Sequence, residues 1–227
     1  MTNNPAQPPP AAGRRRIFLV DDHPLVREGL RQLINQEADL CVCAEADNAG
    51  HACQEIALTK PDGVIVDLSL QGDSGFELIK RLQSLPSPPA VLVLSMHDEA
   101  FYAERALRAG ALGYVMKRET SGKVIAGLRQ ILLGELYVSP AIAAQAAEKF
   151  LRTRSASASS PVDSLTDREL DVFRRIGQGQ QNRQIAQDLN ISLKTVQTHC
   201  AHIKEKLGFA NAAVLMREAV RWVESQG

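Results

Sequence analysis

Apolar runs that each stop at an acidic residue or a lysine constrain this chain more than any other feature. Ile17-Phe18-Leu19-Val20 leads into Asp21 and Asp22, Val64-Ile65-Val66 into Asp67, and Leu112-Gly113-Tyr114-Val115-Met116 into Lys117. Short apolar runs without polar alternation suit parallel strands buried on both faces. In an open parallel sheet the carboxyl ends of the strands meet in one crevice where the strand order reverses, so residues distant in sequence build one site there. Asp21, Asp22, Asp67 and Lys117 are thereby candidates for a single cluster.

The surrounding pattern supports that sheet. Strands are predicted near 16–20, 40–44, 63–67, 90–95 and 112–116, with helices near 25–36, 48–59, 74–85, 98–109 and 119–134 between and after them. Strands alternating with helices of ordinary length imply an α/β doubly wound, five-stranded parallel sheet. Turn chemistry agrees: Pro24 opens the first helix, Pro61-Asp62-Gly63 precedes the third strand, and Pro86 to Pro89 precede the fourth. Residues 139–151 read as an Ala-rich helix and 152–163 (RTRSASASSPVD) as a flexible linker with little to bury. Beyond Leu165 strand signals stop, and helical patterns near 167–177, 182–189, 193–207 and 211–224 imply a small all-α domain.

Charge divides along the same line. Up to residue 150 the chain holds 15 Lys/Arg against 18 Asp/Glu, and after it 11 against 8. An acidic front and a basic back suggest a cation-binding site in one and an anionic partner for the other. The four cysteines, Cys41, Cys43, Cys53 and Cys200, have neither zinc spacing nor the density of a disulfide scaffold and read as small buried hydrophobes, Cys200 as core. No run of about 18 apolar residues is present to span a bilayer. Residues 1–13 read as a disordered tail and not a signal peptide. A soluble cytoplasmic protein with no membrane partner is expected.

An aspartate at a strand end can accept a phosphoryl group as an acyl phosphate. The reaction needs a hard cation such as Mg²⁺, which Asp21, Asp22 and Asp67 could hold, and Lys117 would pair with phosphoryl oxygens. Taken singly, each Asp could equally cap a helix or turn, Asp22 before His23-Pro24 above all, and Lys117 could be a solvated charge. The combination is what points to chemistry.

The order of these residues resembles the receiver domain of bacterial response regulators over residues 14–137. The likeness implies that Asp67, in DLSLQGDSGFE, is the phosphoacceptor (a 4-aspartylphosphate), with Mg²⁺ held by Asp22, Asp67 and the backbone carbonyl of Ser69, Asp21 assisting through water. It makes Ser95, in VLVLSMHDE, the switch hydroxyl and Tyr114, in GYVMKRE, the switch aromatic, whose ring would fill space that Ser95 vacates. It places His97 at the mouth where family members tune hydrolysis of the acyl phosphate. Gln71 departs from the family, which usually carries Pro there, and leaves the lifetime of the phosphorylated state open.

In the back part, Val196, Cys200, Ile203 and Leu207 fall at i, i+4, i+7 and i+11 and form one apolar stripe. The opposite face carries Lys194, Gln197, Thr198 and Ala201, with His202 and Lys204 on its flanks, and Ser192 is placed to cap the helix. Preceded by a short helix and a tight turn, this is a helix-turn-helix pattern suited to a major groove. LTDRELDVF and GQGQQNRQIAQDLNISLKTVQTHCAHIKEKLG resemble the DNA-binding domain of LuxR-type regulators over residues 163–227. The joined likeness is to NarL/FixJ-type response regulators, a flavodoxin-like receiver over 14–137, a linker over 138–162 and a LuxR-type domain over 163–227. It implies base-facing Gln197, Thr198 and Ala201, phosphate contacts from Ser192, Lys194, Thr195, His202, Lys204 and Lys206, and dimerisation through the last helix. Thr166, Asp167 and Glu169 read as helix capping, and His199 and His202 as polar-face or interhelical residues, without the companions of a zinc site.

The expected function is that of a two-component transcription regulator: a sensor histidine kinase phosphorylates Asp67, and the phosphorylated homodimer binds double-stranded DNA with paired half-sites. Turnover as an Asp-nucleophile phosphatase is disfavoured because position 69 is Ser, where such enzymes need a second carboxylate. A receiver acting as a phosphorylation-independent dimerisation module is the other alternative.

Overall fold

The computed structural model describes residues 13–70, 74–144, 161–189 and 191–225. Residues 1–12 of the expected tail, the loop position Gln71 and most of the expected linker lie outside them. The chain divides into two compact units, Met1–Glu148 and Lys149–Gly227.

In the front unit the strands β1 (Arg15–Val20), β2 (Leu40–Ala46), β3 (Gly63–Val66), β4 (Ala90–Ser95) and β5 (Gly113–Met116) alternate with α1 (Pro24–Asn35), α2 (Ala49–Thr59), α3 (Gly75–Gln83), α4 (Glu99–Ala109) and α5 (Ser121–Leu132). All pairings are parallel, in the order β2-β1-β3-β4-β5. The order reverses beside β1, which places the crevice over the ends of β1 and β3. Ile17, Leu19, Ile65, Leu92, Leu94 and Val115 form one core with Leu30 and Ile34 of α1 and with Val124, Leu128 and Ile131 of α5. Phe18, Val20, Val64, Val66, Val91 and Val93, pointing the other way by strand alternation, are equally buried. That double burial is why the strands show no polar alternation.

Strand β2 runs to Ala46, two residues past the expected end. Its register with β1 jumps between Ile17↔Val42 and Phe18↔Ala44, leaving Cys43 as the extra residue of a bulge. The expected fifth helix is shorter, with Thr120 at its N-cap. After it the chain returns to the sheet. The Tyr137 N–H donates to Leu112, the Tyr114 N–H donates to Tyr137, and a further helical turn follows over 140–144 (α6) with Ile142 buried.

The back unit comprises a 3-10 turn (Pro161–Ser164), α7 (Asp167–Gly177), α8 (Asn182–Asp188), α9 (Leu193–Leu207) and α10 (Ala212–Glu224). Helix α7 begins with a capping box: Thr166 accepts from the Glu169 N–H, and Glu169 accepts from the Thr166 N–H. Its Phe173 ring stacks near Phe209 and packs on Trp222 at 5.7 Å. Gly177 lets α7 meet α10, since a Cβ there would stand 2.4 Å from the Ala219 carbonyl oxygen. Helices α8 and α9 form the helix-turn-helix. Among the described residues no helix is long and apolar enough to cross a membrane.

Candidate functional site

The sheet's own hydrogen bonding assembles the acidic cluster. The amide of Asp21 donates to the Ala46 carbonyl (3.2 Å), that of Asp67 to Val20 (2.8 Å) and that of Lys117 to Ser95 (2.8 Å). Each is one rung beyond the last residue of its strand, so the side chains leave the sheet at the same carboxyl edge. The Lys117 ammonium lies 2.6 Å from Oδ2 of Asp21 and 2.7 Å from Oδ2 of Asp67, and all three side chains are buried.

Asp22 does not cap α1. His23 occupies the cap position, without a side-chain cap bond. Oδ1 of Asp21 accepts the His23 backbone N–H at 2.9 Å and lies 3.1 Å from His23 Nδ1. Oδ1 of Asp22 is 2.7 Å from the same Nδ1. That approach is out of line for a hydrogen bond and leaves this buried oxygen without a donor. Asp21, Asp22, His23 and Asp67 each place one donor atom within 4.8 Å of the others. These are the residues that could hold a cation.

One ammonium serves several carboxylates, and the titration behaviour follows. Burial pushes the Asp67 carboxyl above its usual range; Lys117 pulls it back but the negative Asp21 pushes with burial. Burial alone would lower the Lys117 ammonium, but Asp67 and Asp21 together hold it above its ordinary value. The two directions are compatible, because the lysine gains from two partners while Asp67 gains from a shared one. The cluster sets the carboxyl groups of Asp21, Asp22 and Asp67 beside one ammonium.

Around Asp67 the contacts run through His97. Oδ1 of Asp67 accepts the Ser69 N–H at 3.1 Å, and the Ser69 hydroxyl lies 2.9 Å from His97 Nε2. The His97 N–H donates to Ser95 Oγ (3.2 Å), its carbonyl accepts the Tyr114 hydroxyl (3.0 Å), and its ring stacks 4.5 Å from that of Tyr102 in α4. His97 is thus buried and not at an open mouth, contrary to the sequence expectation. The Tyr114 ring is also already inside. A Cβ on Gly75 would lie 2.4 Å from the Asp67 carbonyl oxygen, so the start of α3 fits against the backbone of Asp67 only as glycine.

Two neighbours of the cluster belong to none of the sequence motifs. His23 reads there only as part of a helix start, and Arg27 stands outside every pattern, yet the Arg27 guanidinium donates to the Asp21 carbonyl at 2.6 Å. Once Pro24 is taken to open α1, residues 23 and 27 share one side of the first turn, which is the signal that could find them.

On α9, Lys194, Gln197, Thr198, Ala201 and His202 are exposed, and Val196 and Ile203 are buried beneath. Ser192 caps the helix by accepting the Thr195 N–H at 3.0 Å, and its Oγ lies 2.7 Å from Thr195 Oγ1, so both polar side chains are engaged in the cap. Thr198 Oγ1 donates to the Lys194 carbonyl. Lys206 is tied to the buried Glu169 at 2.6 Å, with His202 at 3.7 Å. Burial would raise the Glu169 carboxyl, but Lys206 and Thr166 hold it below its usual range. Burial lowers His199. Cys200 is not core: it is half-buried and lines a groove with Gln197 and Lys204, facing Leu215 and Met216 of α10.

A parallel sheet ending in a lysine-bridged carboxylate pair, followed by a helix-turn-helix, defines a class. Residues 17–129 match the response regulator receiver domain and residues 163–219 match the luxR family of bacterial regulatory proteins. The chain belongs to the NarL/FixJ-type response regulators, transcription factors of two-component systems with a LuxR-type DNA-binding domain. It is 31% identical over 210 residues to the oxygen regulatory protein NreC of Staphylococcus haemolyticus (strain JCSC1435), spanning 91% of this chain and 97% of that protein. A solved two-component response regulator of the LuxR family from Aurantimonas sp. SI85-9A1 is 38% identical, with a TM-score of 0.56, covering 61% of this chain and 99% of that one. The response regulator ChrA of a heme-sensing two-component system is 31% identical, with a TM-score of 0.50, covering 95% and 100% of the two chains.

Proposed function

We propose that Asp67 accepts a phosphoryl group from a sensor histidine kinase and that the phosphorylated chain dimerises and binds double-stranded DNA with paired half-sites through α9. The observation that carries this is the Asp67 carboxylate, buried at 1% exposure yet set within 2.7 Å of Lys117 in a cluster with the carboxyl groups of Asp21 and Asp22. A fold seldom buries two carboxylates on one ammonium, with a third carboxylate beside them, for stability's sake.

The residues fit Mg²⁺. Three carboxylates outnumber the single ammonium, and Asp22 Oδ1 is buried without a donor. Asp21, Asp22, Asp67 and the Ser69 carbonyl would hold the ion, which supplies charge neutralisation for the incoming phosphoryl oxygens. In the transfer the bond from phosphorus to the kinase imidazole nitrogen breaks and a bond to an Asp67 carboxylate oxygen forms. Lys117, already between Asp21 and Asp67, can follow the new anionic oxygen. Ser95 Oγ accepts the His97 N–H and keeps its own proton to donate. Because Tyr114 is already inside, displacement of Ser95 would pass through His97, whose backbone touches Ser95 and Tyr114 and whose ring touches Ser69 and Tyr102. Helix α4 would then be the element that moves. No carboxylate at position 69 stands ready as general acid or base, so the chain acts as a phosphoacceptor and not as a turnover enzyme.

On α9, exposed Gln197, Thr198 and Ala201 face bases, and Lys194 and His202 face phosphates. Lys204 sits half-buried at the flank, and Lys206 would have to leave Glu169 to contact DNA. Ser192 and Thr195 present the helix N-terminus.

The test is capture and sequencing of genomic DNA fragments by the purified chain in Mg²⁺, with and without beryllium fluoride. Enrichment of paired half-sites that requires the mimic and is lost in Asp67→Asn is the expected result. Equal enrichment in all three conditions would retire phosphorylation and favour a receiver that only dimerises.

A further inference from the structure

The rim of the acidic cluster carries an imidazole that the Mg²⁺ set of Asp21, Asp22, Asp67 and the Ser69 carbonyl does not use. His23 is exposed, but its Nδ1 is turned inward to 2.7 Å from Asp22 Oδ1 and 3.1 Å from Asp21 Oδ1. Nitrogen and carboxylate oxygens are all acceptors unless the ring carries a proton on that nitrogen. Such a proton satisfies Asp21 Oδ1, which has hydrogen-bond geometry, and leaves the buried Asp22 Oδ1 unpaired. A divalent cation would satisfy all three donors at once.

The spacing suits one. With metal–ligand bonds of about 2.0–2.2 Å, neighbouring donors around a single ion stand about 3 Å apart in octahedral and about 3.4 Å in tetrahedral geometry. The Oδ2 atoms of Asp21 and Asp67 are taken by Lys117, so the lysine and a cation would use different carboxylate oxygens of Asp21.

Resting on the reading of this cluster as a cation site, we infer that His23 is a ligand that extends the site to a nitrogen–oxygen donor set selective for late first-row divalent ions, with Zn²⁺ the representative. Mg²⁺ takes oxygen donors and water and gains little from an imidazole. Zn²⁺, Ni²⁺ and Co²⁺ bind imidazole well, and for a mixed nitrogen–oxygen site they outrank the hard ions. The site that admits Mg²⁺ is then open to displacement by a scarcer ion, with His23 setting how strongly.

The test is calorimetric titration of the full chain with ZnCl₂ and with MgCl₂, for the wild type, His23→Ala and Asp22→Asn. It is paired with long-range ¹H–¹⁵N spectra of the imidazoles. Zn²⁺ is expected to displace Mg²⁺ from the wild type and to shift the His23 Nδ1 resonance. His23→Ala should weaken Zn²⁺ by at least about tenfold while changing Mg²⁺ affinity far less. Asp22→Asn should weaken both ions. Zn²⁺ affinity unchanged by His23→Ala, or a Zn²⁺ shift confined to other histidines, would overturn the inference while Mg²⁺ binding kept the cation site. Absence of binding by either ion would remove the cation reading itself.

Discussion

Replacing Lys117 by Met tests the electrostatics of the cluster most directly. The side chain is 8% exposed and its ammonium contacts carboxylates at 2.6 and 2.7 Å. Each contact corresponds to about 6 kcal/mol of attraction at an effective dielectric of about 20, largely offset by desolvation of the ions. Removing one partner of a buried pair leaves the other's desolvation uncompensated and costs about 3–5 kcal/mol. Lys117→Met is therefore expected to destabilise the front unit by about that amount at pH 7. The pH window follows from the two shifts. The Lys117 pKa is raised on folding, so its contribution is full below its ordinary value of about 10.4 and fades as pH climbs through the higher folded one. At the other end the deficit shrinks as the carboxylates take up protons, starting above the usual range for Asp67 because its pKa is also raised. Urea unfolding between pH 4 and pH 9 reads this. All three tyrosines report the front unit in near-ultraviolet dichroism, and the single Trp222 reports the back one by fluorescence. Adding Asp67→Asn should recover a good part of the loss. A cost below about 1 kcal/mol, the range of exposed pairs, or one that is undiminished at pH 4, would refute the argument.

Two further outcomes concern the back unit. Gly177→Ala forces a Cβ to within 2.4 Å of the Ala219 carbonyl oxygen and should cost about 1–3 kcal/mol, seen as an earlier Trp222 transition with the tyrosine signal unmoved; an unshifted midpoint would show that α7 and α10 part freely. Lys194→Ala should lower the salt dependence of DNA binding by about one phosphate contact on every sequence, whereas Gln197→Ala should change base preference, and an equal loss across sequences for Gln197→Ala would remove it from base readout.

How much of the fold and site is legible in sequence depends on how local each cause is. Uninterrupted apolar runs mark strands buried on both faces, so the pattern of residues is enough to place Asp21, Asp67 and Lys117 at strand ends. The end of β2 escapes the same reasoning because Glu45 breaks the apolar run while still pairing with Leu19 beyond the Cys43 bulge. The return of Tyr137 to the sheet is invisible, since the partners of its N–H and carbonyl are chosen by tertiary packing alone. Charges mislead in the same way. Lys206 looks free in sequence, but Glu169, far away in the chain, holds it. Position alone puts His97 near the phosphoacceptor, yet only the stacked Tyr102 ring and the Ser69 hydroxyl reveal that it is buried.

The amides of Asp21, Asp67 and Lys117 are rungs of the sheet, and this ties the precision of the site to the most durable part of the fold. Their hydrogen exchange should follow the core strands and not the loops around them. The site then has no loose intermediate condition: mutations far away that erode stability would reduce the number of working molecules while each survivor keeps its lysine and carboxylates in place. Drift in this chain's sequence would show first as abundance and only at the threshold of unfolding as altered chemistry.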